Sequence, residues 1–91
     1  MDLKDYRVKI DETDDQLLRL FMERMDVSLQ IAQYKKEHDL PIFDAAREQE
    51  KLEKIGERTG DEMRPYAHRL FNLLFELSRE HQGSLFEADV I

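Results

Sequence analysis

From Leu3 to Tyr34 the apolar residues return at steps of three and four or their sum: Leu3, Tyr6, Ile10, Leu17, Leu20 or Phe21, Val27, Ile31 and Tyr34. That spacing keeps one stripe on one face of an α-helix for more than thirty residues. Such a helix runs to roughly 50 Å at 1.5 Å per residue. A globule of 91 residues has a radius of gyration near 12 Å, so it is roughly 30 Å across. The helix therefore projects beyond its own domain, and its apolar stripe needs cover. The simplest cover is the same helix of a second chain, which predicts a closed two-fold homodimer.

The helix is expected to stop near Glu37, His38 and Asp39, because Pro41 lacks a backbone donor and pushes Leu40 towards extended geometry. Asp44 then offers an N-cap for a short second helix running through Leu52 to Ile55, with Gly56 or Gly60 as its stop. A third helix is expected to begin between Asp61 and Pro65 and run to about Gln82, with Gly83 ending it and Ser84 to Ile91 only loosely ordered. Three glycines and two prolines are too few for a strand-and-turn protein. The expected fold is all-α: three helices per chain, one domain over residues 1–91, intertwined as a homodimer.

Charge and composition narrow the function. A formal net charge of −7 and a pI of about 4.9 repel nucleic acid and anionic membranes, so neither is expected as a partner. With no cysteine, disulfides, thiolate metal sites and thiol nucleophiles drop out. No apolar run approaches the eighteen or so residues of a membrane helix, and the opening Met1-Asp2-Leu3-Lys4-Asp5 lacks the apolar core of a signal peptide. A cytoplasmic protein is the expectation.

Against that background the cations on the first helix are the anomaly. Arg7, Arg24, Ser28 and Lys35 fall on or beside the buried seam. Arg24 and Lys35 are three turns apart, about 16 Å along the axis, and long enough to lean towards one small anion. Arg7 lies about 25 Å from Arg24 and reaches the same ligand only from another chain. Singly, each cation also reads as one that rests its stem on apolar surface with its head in water. Together they imply counter-charges such as Glu23 and Asp26, or an anionic ligand, because an unpaired buried cation is costly.

Further along, Asp44 and Glu48 suit the positive end of the second helix, whereas Arg47 opposes its dipole and answers to something else. Phe71, Phe75, Ser78 and Gln82 form one helical face, aromatic at one end and hydrogen-bonding at the other. His38, His68 and His81 have no metal-ligand spacing. There is no phosphate loop, no nucleophile elbow and no base paired with Ser28 or Ser78. No metal or cofactor is expected, so any catalysis here would work through electrostatics and shape.

The order Arg7, Arg24, Lys35, Asp44, Arg47-Glu48, Ser78, Gln82 resembles the helical (type II) chorismate mutase family across nearly the whole chain. The supporting strings are Tyr6-Arg7-Val8-Lys9-Ile10-Asp11, Leu17-Leu18-Arg19-Leu20, Glu23-Arg24-Met25, Tyr34-Lys35-Lys36 and Leu40-Pro41-Ile42-Phe43-Asp44.

The resemblance implies the rearrangement of chorismate to prephenate in aromatic amino acid biosynthesis, a unimolecular step without metal, nucleophile or cofactor. It implies that Lys35 and Gln82 are catalytic, donating to the ether oxygen. Arg24, with Arg7 of a partner chain, would bind substrate carboxylates, Ser78 and Arg47 would complete that end, and Asp44 and Glu48 would hold the ring hydroxyl. Isochorismate pyruvate lyase, which shares this fold, and a non-catalytic helical dimerisation or regulatory module stand as alternatives.

Overall fold

The computed structural model describes residues 1–87 of the chain. Helix α1 spans Leu3–Glu37, as the apolar period predicts. Its first turn is closed by a reciprocal cap: Asp5 N donates to Asp2 Oδ1 at 3.0 Å, and Asp2 N to Asp5 Oδ2 at 3.1 Å. Two of the orphan amide donors of a helix start are thereby satisfied. At the other end His38 is the C-cap and Asp39 takes a left-handed φ of 55°. That reversal closes the helix before Pro41, and Leu40 N returns to the carbonyl of Lys35 at 2.8 Å.

Helix α2 spans Ala45–Glu87. Asp44 starts it as expected, its Oδ1 accepting from Arg47 N at 3.0 Å. The three helices expected are thus two, because the interruption between the second and third is confined to one residue. Gly60 has φ 75° and ψ 171°, a combination essentially restricted to glycine, and the helix resumes at once without a loop. The limbs on either side fold back on each other. Arg64 Nε donates to the Gly56 carbonyl at 3.1 Å, and His68 Nε2 donates to the Leu52 carbonyl at 3.0 Å. Carbonyls near the break therefore find donors in the following limb. Gly56 lets the limbs close, since a Cβ there would meet His68 Nε2 at 3.1 Å.

Gly83 does not stop the helix. α2 continues through it to Glu87, so the backbone of Ser84 to Glu87 is helical; residues 88–91 lie outside the described part. The reason is local: the neighbouring Gln82 is buried and bonded across to α1, and that tertiary anchor outweighs the roughly 1 kcal/mol that a helical glycine costs relative to alanine.

The molecule measures 56 × 28 × 15 Å with a radius of gyration of 16.7 Å, well above the 12 Å or so of a globule of this length. α1 causes the excess, because residues 1–20 are all exposed and only its second half packs on α2. The core is small: Ala32, Ile55 and Phe75 are the buried apolar side chains, and Ser28, Ser78 and Gln82 are buried beside them. Among the described residues no helix is long and apolar enough to cross a membrane.

Candidate active site

Where the second half of α1 meets α2 there is a cavity of about 430 Å³. Arg24, Ser28 and Lys35 face it from α1, and Asp44, Arg47 and Glu48 from the start of α2. Phe75, Ser78 and Gln82 close it from the far limb. Helical spacing explains the convergence. Arg24, Ser28, Ile31 and Lys35 follow at four, three and four residues, as do Phe71, Phe75, Ser78 and Gln82, so each set makes one face.

Three contacts hold the walls. Arg24 Nη1 donates to Ser78 Oγ at 2.6 Å, joining α1 to the far limb of α2. Gln82 Nε2 donates to the Ser28 carbonyl at 2.9 Å. Lys35 Nζ donates to the Ile42 carbonyl at 2.8 Å, tying the end of α1 to the linker before Asp44. Ser28 Oγ is buried with no hydrogen-bond partner among the described residues.

The electrostatics favour an anion. Arg24, Lys35, Arg47, Lys51 and Arg79 face Asp44 and Glu48 around the cavity, a formal excess of three positive charges in a chain of net charge −7. Loss of hydration holds the Arg24 guanidinium below its usual range, while the nearby Glu48 carboxylate pulls it the other way. Its hydrogen bond goes to a hydroxyl rather than a carboxylate, and its charge also lies 5.8 Å from the centre of the Phe75 ring. A partly dehydrated guanidinium with no carboxylate paired to it among the described residues is prepared to receive one from a ligand.

Seven of the eight residues singled out from the sequence thus line one cavity. The eighth, Arg7, lies on the exposed half of α1, apart from it. Two further cations on the wall escape the sequence reading. Lys51 stands one turn beyond Arg47 and Glu48. Arg79 forms an ion pair with Glu48 and lies 4.9 Å over the Phe43 ring. Both partners of Arg79 are more than thirty residues away, so no local pattern announces it. For Lys51, its spacing of four from Arg47 is an available signal.

A family model for chorismate mutase type II matches residues 6–83. The chain belongs to the type II chorismate mutase family. It is similar to a T-protein of Haemophilus influenzae, with 41% identity over 46 residues, half of this chain and 12% of that protein. It is also similar to a bifunctional chorismate mutase/prephenate dehydratase of Aquifex aeolicus, with 41% identity over 54 residues, 59% of this chain and 15% of that protein. The chain spans less than a sixth of the length of these curated relatives. Within this chorismate mutase family member two of the three histidines make contacts inside the chain. His38 stacks on Tyr34 at 3.9 Å, and His68 bridges the limbs of α2. Among the described residues no group of three or more potential metal ligands gathers.

Proposed function

We propose that this chain is a chorismate mutase, converting chorismate to prephenate by an intramolecular rearrangement. The observation that carries the reading is the cavity itself. Seven side chains separated by up to 58 positions converge on it, five cations surround it, and Arg24 among them has its hydrogen bond to a hydroxyl rather than a carboxylate among the described residues. A doubly negative substrate with one hydroxyl and one ether oxygen matches that set of groups.

In this reading Arg24 and Ser78 bind one substrate carboxylate, with Arg47 beside them, and Asp44 and Glu48 accept from the ring hydroxyl. The chain then folds its substrate into the reactive conformation, replacing lost internal freedom with fixed contacts. As the ether bond breaks, negative charge gathers on its oxygen, and Lys35 and Gln82 donate to it. Such contacts strengthen towards the transition state and so raise the rate rather than merely the affinity. A rate enhancement of about 10⁶ requires roughly 8 kcal/mol, within reach of restraint plus two donors to the ether oxygen.

The second carboxylate calls for Arg7, which its own chain holds far from the cavity. We assign it to the site of a second copy, in a homodimer formed along the exposed apolar stripe of α1. Leu3, Tyr6, Ile10, Leu17 and Leu20 of that stripe are all exposed in the single chain, which is what a helix needing cover looks like.

The test is direct. Purified protein is given chorismate and isochorismate in separate reactions, and the products are identified. Prephenate from chorismate is expected; no product from chorismate, or salicylate with pyruvate from isochorismate as the sole conversion, overturns the reading.

A further inference from the structure

Arg79 adjoins Ser78 on α2, yet its contacts lie at the opposite wall of the cavity. Its Nη1 pairs with Glu48 Oε2, and its guanidinium carbon lies 4.9 Å over the ring of Phe43. Phe43 immediately precedes the N-cap Asp44, and Glu48 sits in the first turn of α2. One side chain from the far limb therefore grips both the linker and the helix start that carry the two acidic groups of the site. Both members of the pair are partly buried, with side-chain exposures of 34% for Arg79 and 24% for Glu48, so the pair is better shielded than an exposed one.

Glu48 also has a competing attraction. It is the carboxylate whose field reaches Arg24, the cation assigned to the substrate. A Glu48 free to swing would neutralise Arg24 and occupy the position meant for a substrate carboxylate. An arginine fork holding one Glu48 oxygen restrains that swing and leaves the other oxygen available to a hydroxyl.

We propose that Arg79 is a positioning residue of the site: by holding Glu48 and the Phe43–Asp44 linker it keeps Glu48 aimed at the substrate hydroxyl and off Arg24. The inference rests on the mutase reading above, and it adds a residue that reading does not use. It acts on the ground state as much as on the transition state, since it governs whether Arg24 is free to bind. Its loss is therefore felt mainly in KM.

The experiment is a double-mutant cycle on the full chain, with chorismate as substrate and prephenate formation as readout. Arg79→Ala is expected to raise KM about tenfold with kcat changed less than threefold, and Arg79→Lys to recover part of the loss by keeping the charge. In a Glu48→Gln background, which has no carboxylate to restrain, adding Arg79→Ala is expected to change KM less than twofold. An equal KM rise from Arg79→Ala in both backgrounds, or a loss confined to kcat, overturns the positioning role. Should Arg79→Ala fail to fold by circular dichroism, Arg79→Lys and Arg79→Gln are compared in the two backgrounds under the same criterion. A wild-type chain that leaves chorismate unchanged overturns the mutase reading, and this inference falls with it; an active wild type with an additive cycle overturns this inference alone.

Discussion

Gln82, near the end of α2, donates its amide Nε2 to the main-chain carbonyl of Ser28 on α1, 54 residues earlier, at 2.9 Å. Both residues are buried. One amide hydrogen thus fixes the side chain, and the rest of the amide is left to face the cavity. In Gln82→Glu the carboxyl donates a hydrogen only when protonated, and its ionised form confronts the Ser28 carbonyl. Activity of this variant is expected to be highest in acid and to fall as the carboxyl ionises with rising pH. The check is kcat/KM for chorismate across pH in the variant and the wild type; superimposable profiles would remove Gln82 from the ether oxygen.

Lys35 is the other proposed donor to that oxygen. Lys35→Ala is expected to lower kcat about a thousandfold, the size of effect seen when one charge-stabilising donor is removed from an active site. Its bond to the Ile42 carbonyl also braces the linker, so helical content by circular dichroism is the control. Wild-type turnover in a folded variant would exclude Lys35 from the chemistry.

Arg7 provides a test of sharing between chains. In the proposed homodimer, Arg7→Ala and Lys35→Ala proteins unfolded and refolded together would give half mixed dimers, each with one site in which both residues are intact. About a quarter of wild-type activity is expected to return. A mixture no more active than its components would confine the site to one chain.

Two glycines of α2 are expected to respond in opposite senses. Gly60 has a positive φ, and a Cβ added there would meet nothing within 4 Å, so Gly60→Ala is purely a backbone penalty of about 1–3 kcal/mol and lowers the melting midpoint. Gly83 is helical with equally open surroundings, so Gly83→Ala gains about 0.5–1 kcal/mol and raises the midpoint. Thermal melts followed at one protein concentration decide both.

Much of this is legible in the sequence because the signals are local. The period from Leu3 to Tyr34 and the block at Pro41 locate α1, and Asp44 marks the start of α2. The facing positions of Arg24, Lys35, Ser78 and Gln82 follow from helical repeats of three and four. What escapes depends on distance. Gly83 looks like a stop until the anchoring of Gln82 on α1 is known. Gly60 is marked as the break from sequence, but that the chain resumes its helix at once, with no loop before Pro65, is not. Arg79 looks like an ordinary surface cation until the fold brings Glu48 and Phe43 beneath it.

The exposed first half of α1 carries a thermodynamic consequence. A helical stretch of about twenty residues that stays exposed along its whole length has little beyond its end cap to hold it, whereas most helices in proteins draw their stability from packing an apolar face. In the proposed homodimer a second copy supplies that packing surface, so the helical fraction there is expected to rise with protein concentration. Dilution is then expected to fray the segment that carries Arg7.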